Sequence, residues 1–306
     1  MCCPLTPINY YYKIIALKHK RSYGMKKIIA VATVFTLIFT FAACKKDDKK
    51  EQPSRNMAQQ EVIVHENVTD ASGEIVTDAH GEAVTVTEIH TELITEPQSL
   101  SANPEEWTIE EIVAYYKSSA LKSHETAKST QKMTLTEMVV NNGDGTLAKA
   151  VEFATPFMTD ALENNSTEFD GITGGFNNLV ASDVQSARAY KSGNYTVIEM
   201  TMKEQTDGLH GDTYSGTVGH AISVVGDISV VQEELPMFDI DFENADFSMR
   251  YTNPVLKVKI NEDGIIEKGT WSYTVEINIK NLKVEFITVD TGYGKVDYEI
   301  TVGGGF

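Results

Sequence analysis

The 306-residue chain is poor in the residues that announce chemistry: it holds three cysteines, Cys2, Cys3 and Cys44, and two tryptophans. No serine sits in a Gly-x-Ser-x-Gly elbow and no glycine-rich loop carries the lysine of a phosphate cradle, which removes the common signatures of acyl transfer and nucleotide binding. Lysine and arginine are missing from Asn56 through Tyr116, a span that contains 13 carboxylates. A membrane-spanning run is missing too. The apolar stretch Ile28–Ala43 has 16 residues, fewer than the roughly 20 that cross a bilayer as a helix.

That short run is framed by Lys26-Lys27 on one side and Phe41-Ala42-Ala43-Cys44 on the other. A basic end, a short apolar core and small residues before a cut form a secretory signal. The segment 26–44 resembles the signal of bacterial lipoproteins, with Phe41–Cys44 as the lipobox. The resemblance implies cleavage before Cys44, a diacylglycerol thioether on its sulfur, and a protein anchored by lipid (palmitate among its acyl chains) to the extracytoplasmic face of the cell membrane. Residues 1–43 then form an N-terminal extension and signal peptide, with Met25 the expected start. Two or more acyl chains on one residue anchor durably where one does not. Cys2 and Cys3 fall before the cut and Cys44 is occupied, so the mature chain has no disulfide and no free thiol nucleophile.

Of the 26 basic residues six precede Cys44 and no acidic residue does, which leaves 20 basic against 44 acidic side chains and a net charge of −24. A field of that sign repels nucleic acid and anionic head groups. The lipid, not surface charge, is the expected link to the membrane.

Residues 44–103 are expected to form an acidic, disordered tether. Lys45–Lys50 is wholly charged, and an eight-residue repeat follows, Val68-Thr69-Asp70-Ala71-Ser72-Gly73-Glu74 and Val76-Thr77-Asp78-Ala79-His80-Gly81-Glu82, too short to bury a core. Residues 104–306 are expected to fold as a single α+β domain, with N-terminal helices packed on a long, curved antiparallel β-sheet of five to seven strands. Thr108-Ile109-Glu110-Glu111 is a capping box opening a helix whose stripe is Ile109, Ile112, Val113, Tyr116 and Ala120. A second helix is expected over 147–162, broken near Thr155-Pro156. From Val184 the period changes to two, with hairpin turns at Lys191–Asn194 and Asn261–Gly264. Trp271 to Ile279 alternates apolar and polar residues without exception. At Lys280-Asn281 the phase slips by one, which predicts a bulge before Leu282, Val284 and Phe286. A turn is expected at Thr291–Gly294, then a last strand through Val296, Tyr298, Ile300 and Val302.

Two regions are candidate sites. Asp207, His210, Asp212 and His220 gather in a glycine-rich loop, the arrangement a metal-dependent hydrolase would need, although the spacing fits no zinc pattern. The expectation is a loop, with no catalytic or metal residues, no cofactor and no enzymatic activity. The apolar sheet face offers Trp271, Tyr273, Val275, Ile277, Phe286 and Tyr298 as a lining for an apolar ligand. Helices 108–122 and 147–162 must bury their stripes on some surface, so the competing reading of this face is a closed core. Long bent strands under covering helices are loosely similar to bacterial lipid-carrier lipoproteins and tubular lipid-binding modules, and that likeness implies a lipid or other apolar ligand. The expected function is a membrane-anchored, non-enzymatic binding lipoprotein. The alternative is a surface structural or interaction module, marked by an aromatic or apolar patch outside the core.

Overall fold

The computed structural model describes residues 100–306 except 164–165, 231–238 and 286, together with residues 59–67 and 85–93. The lipobox segment, the repeat and Phe286 lie outside the described residues. The chain divides into two units, Lys46–Leu100 and a larger one that includes Ser101–Phe306. In the smaller unit β1 (Gln59–Asn67) pairs antiparallel with β2 (Thr85–Leu93), Gln59 opposite Leu93 and Asn67 opposite Thr85. This hairpin differs from the tether expected over 44–103. Val62, Ile63, Val64, Val86, Thr87 and Ile89 are strong strand formers, and they outweigh the scattered carboxylates.

The larger unit is mostly β. Its elements are α1 (Ile109–His124), β3 (Lys128–Val140), α2 (Gly145–Glu163), β4 (Thr167–Asp170), β5 (Val184–Ser192), β6 (Tyr195–Met202), β7 (Gln205–Asp207), α3 (Gly216–Ala221), β8 (Ile240–Asp241), β9 (Asp246–Ile260), β10 (Ile266–Val284) and β11 (Ile287–Val302). The strands form one nine-stranded antiparallel sheet in the order β4-β3-β11-β10-β9-β6-β5, with β7 added to β9 and β8 to β10. That is two strands beyond the expected maximum, and the helices are a cover on the sheet, not an equal partner to it.

α1 starts as its sequence dictates. The Thr108 hydroxyl accepts from the Glu111 amide at 3.3 Å while the Glu111 carboxylate accepts from the Thr108 amide at 2.7 Å. Ile112, Val113, Tyr116 and Ala120 are buried on the face turned to the sheet. Its C-terminal end is stitched to β10, since the Ser123 hydroxyl donates to the Ser119 carbonyl and accepts from the Ile266 amide at 2.8 Å. α2 runs through Pro156 without the expected break. A proline removes one intrahelical bond, and the helix packs along β3, which supplies the order that propensity alone would not.

β10 is the long strand that the alternation predicts. Asn281 takes φ 56°, both Lys280 and Asn281 face outward, and Leu282 and Val284 return to the core. The β10–β11 register does not shift there, because Asp290 and Thr291 opposite face outward as well. The true register shifts on β10 come earlier, at Ile266/Lys268 and Ser272/Thr274 against β9. The second of these sits opposite Asn253-Pro254, where the proline's missing N–H and the φ of 53° at Asn253 fit an interrupted ladder. Across this bulge Asp246–Ile260 runs as one continuous strand, β9.

The expected turn at Thr291–Gly294 is instead mid-strand. Val284 pairs with Ile287, so the chain reverses between these two residues, with Glu285 at φ 57°. Gly292 and Gly294 lie on the buried face, opposite Ile279 and Ile277. They give the bulky neighbours room, a packing role that reads in sequence like a turn.

Candidate functional site

The six residues expected to line an apolar site have different fates. Trp271 is fully buried, and its Nε1 donates to the Tyr116 hydroxyl on α1 at 2.8 Å. Burial pushes the Tyr116 phenol up from its ordinary value, more than the indole bond lowers it. Gly269, two residues earlier on the same face, has no Cβ because the Trp271 ring occupies that space. Tyr273 stacks on Tyr298 with centroids 4.7 Å apart and meets Tyr251 edge-on at 5.3 Å, so three adjacent strands contribute one ring each to a buried tyrosine row. The Tyr298 hydroxyl donates to Gln131 Oε1 at 2.9 Å, and the Tyr251 hydroxyl accepts from the Val225 amide at 3.2 Å. Burial raises the pKa of both Tyr251 and Tyr273 far above that of a free phenol.

Tyr273, Val275, Ile277 and Tyr298 do come together around one space, with Met133, Val225 and Val296 completing the wall. Its volume is about 10 Å³. That is room for a single water molecule, against the several hundred Å³ of ligand pockets. Trp271 is not part of this lining, and Phe286 lies outside the described residues. Above the tyrosine row runs residues 208–230, from which Val218, Ala221, Ile222, Val224 and Ile228 enter the core. Among the described residues the predicted ligand face is buried, with a small gap at the tyrosine row.

The four polar residues of the glycine-rich loop do not converge. Asp207 takes hydrogen bonds from Gln205 at 3.0 Å and also bonds the Tyr251 hydroxyl; partial burial raises its carboxyl against the pull of those two donors. His210 pairs with Asp227 at 3.2 Å. Burial works to raise Asp227, but the Ser229 hydroxyl and amide, with His210, outweigh it and hold the carboxyl below its ordinary range. Asp212 accepts from the Tyr214 amide at 3.0 Å, closing a local turn. His220 turns inward to Asp183 at 2.9 Å, and Asp183 in turn caps the Val180 amide. Among the described residues no three His, Cys, Asp or Glu side chains gather as metal ligands, and no helix is long and apolar enough to cross a membrane.

The opposite sheet face is the polar side of the alternation that runs along β10, the side that the interaction-module alternative turns to a partner. It is open, and the pairing register lays its polar side chains in rows across the strands. One row is Arg188–Glu199–Lys257–Thr270–Thr301–Thr130; another is Glu137–Lys295–Glu276–Arg250; shorter ones pair Lys132 with Glu299 and Asp246 with Lys280. Charges alternate in sign along each of these rows, the arrangement that favours cross-strand neighbours. Lys257 Nζ lies 2.9 Å from Glu199 Oε1, and Arg188 pairs with the same carboxylate. Burial works to raise Glu199, yet its bonds to Lys257, Arg188 and Tyr190 leave it below the usual carboxyl value.

At one corner the open face also bears apolar surface: Val255 is 39% and Phe306 45% exposed. The Phe306 ring lies 3.9 Å from Lys257 Nζ and 4.8 Å from Lys259 Nζ, and its amide donates to the Thr270 hydroxyl at 3.0 Å. Val197, in the row with Tyr190 and Lys259, is fully buried yet lies outside the core cluster, as expected of a side chain covered by long neighbours on this face. The signal for this face was in the sequence as the polar half of the alternation, Thr270, Ser272, Thr274 and Glu276 between the apolar residues of β10. Which charges meet which depends on register and is not written in any one strand.

No family model, no curated protein and no solved structure matches this chain.

Proposed function

We propose that this protein is a lipoprotein, anchored through Cys44 to the extracytoplasmic face of the cell membrane, whose folded domain is a non-enzymatic interaction module. The observation that carries the second half is the asymmetry of the sheet. Among the described residues one face is covered by α1, α2 and residues 208–230 and has a gap the size of one water at the tyrosine row, and the other carries polar side chains across seven strands with an aromatic and apolar corner. We favour the surface-interaction alternative over an apolar-ligand carrier, because the gap that the expected lining residues share, about 10 Å³, is far smaller than a carrier's pocket. The anchor rests on the lipobox resemblance.

Photo-crosslinking in cells tests the surface. A benzophenone side chain at Thr274, on the open face, should give discrete higher-mass adducts, whereas one at Glu110, on the outer side of α1, should give none. Equal patterns, or none from either position, would remove the open-face reading. Metabolic labelling with palmitate tests the anchor: incorporation should vanish in Cys44→Ala, and label retained in that variant would refute lipidation at this residue.

A further inference from the structure

Wherever two charged residues stand directly opposite on the open face, their signs are opposite, with one exception. Lys259 on β9 faces Lys268 on β10. Like charges in that position repel, and a sheet that otherwise alternates its charges so consistently leaves these two with no carboxylate. Among the described residues neither forms an ion pair. The nearest acidic residue in sequence, Glu267, has both oxygens engaged elsewhere, accepting from the Tyr195 hydroxyl at 2.8 Å and from Asn261 Nδ2 at 2.9 Å. Lys268 is exposed and Lys259 half-buried. Around them stand rings: Lys259 Nζ lies 6.0 Å from the centre of Tyr195 and 4.8 Å from that of Phe306, and Tyr190 occupies the same row two strands over. The corner thus holds two ammonium groups without an ion-pair partner, beside the exposed Phe306 ring and the half-buried rings of Tyr195 and Tyr190, on a protein that is otherwise strongly acidic.

We infer that this corner, formed by Lys259, Lys268, Tyr195 and Phe306, binds an acidic carbohydrate chain, the lysines pairing with its carboxylates and the rings taking the C–H faces of its sugars. The inference rests on the reading of the open face as an interaction surface and names the partner's chemistry. An ammonium pair selects an anion, and a ring's negative face attracts the polarised C–H groups of a pyranose. The partner is a thin chain and not an anionic bilayer for an electrostatic reason. At physiological ionic strength a field decays over about 8 Å, so a single strand lying on the corner meets the local charges, where Lys257, Lys259 and Lys268 outnumber Glu199 and Glu267. A bilayer faces the whole acidic domain at once and is repelled by it.

The test uses the full lipidated protein in mild non-ionic detergent, with polygalacturonate as the probe, dextran as the uncharged polymer and phosphatidylcholine–phosphatidylglycerol vesicles as the anionic membrane. Affinity electrophoresis should show retardation by polygalacturonate alone, weakened by salt. Lys259→Ala/Lys268→Ala should lower that affinity at least tenfold with the far-UV spectrum unchanged. Lys295→Ala, which removes one positive charge from a compensated row, should leave it within twofold. Equal affinity of the double variant, equal retardation by dextran, no retardation at all, or preference for the vesicles would each overturn the assignment. If the Thr274 crosslinker gives adducts while polygalacturonate does not bind, the open-face reading stands and this corner's assignment falls. If the lysine pair binds the polymer and no crosslinks form, the interaction surface is confined to this corner and the wider open-face reading falls.

Discussion

The two faces of the sheet are built from the same strands and obey opposite rules. On the covered face, Trp271, Tyr273, Val275, Ile277, Ile279, Leu282 and Val284 of β10 are all nearly inaccessible, and each depends on a neighbour of fitted shape. On the open face, Thr270, Ser272, Thr274, Glu276 and Asn278 of the same strand keep contact with water and pair by charge or hydroxyl. Close packing makes the first face intolerant of change. Solvation makes the second tolerant of change. On the proposed function, stability and recognition occupy opposite sides of one layer, so substitutions on the two sides should separate in their effects.

The largest effect is expected at Trp271. Trp271→Ala removes the biggest buried side chain and leaves the Tyr116 hydroxyl without its indole partner, which should cost about 3–5 kcal/mol of unfolding free energy in urea titrations. A cost near zero would mean that the covered face is not a packed core. Gly269→Ala comes next: the added methyl meets the Trp271 ring, and overpacking of this kind costs about 1–3 kcal/mol. Tyr298→Phe keeps the ring stack but leaves buried Gln131 short of a donor, worth about 1–2 kcal/mol. On the open face Glu276→Lys places like charges against Arg250 and Lys295, yet stability should fall by no more than about 1 kcal/mol, and less at high salt.

The smallest expected effect is a slope in acid. Glu199 is held below its ordinary carboxyl value of 4.5 by Lys257, Arg188 and Tyr190 in spite of burial. Its folded-state pKa is lower than its unfolded one, so its contribution is complete above the unfolded value and disappears as pH falls through the folded one. Thermal midpoints of the wild type should therefore fall below pH 4.5 more steeply than those of Glu199→Gln. Parallel curves would show that the Arg188–Glu199–Lys257 row does not couple to folding.

Much of this contrast was legible in the residues. The alternation of β10, the capping box at Thr108 and the turns at Gly193 and Gly264 are local signals, carried by periods and backbone preferences that a strand or helix shows on its own. Closure of the apolar face was readable only as a competition, because the stripes of α1 and α2 needed a surface but the sequence does not say how completely they cover it. Where local signals misled, a tertiary demand had displaced them: Gly292 and Gly294 make space opposite Ile279 and Ile277, and Pro156 sits within a helix that packing sustains. The rows of charge on the open face were the least legible. They exist only once β3, β11, β10, β9, β6 and β5 are placed side by side in register, and strand order is not encoded by any segment alone.

Native mass spectrometry of the intact protein, released from membranes in mild detergent, tests the account most directly. The prediction is a chain beginning at Cys44 whose excess mass is wholly covalent and remains after denaturation, with nothing held inside the sheet. A further apolar molecule that stays bound in the native spectrum and departs on unfolding would contradict it, since the covered face would then be a pocket and not a core.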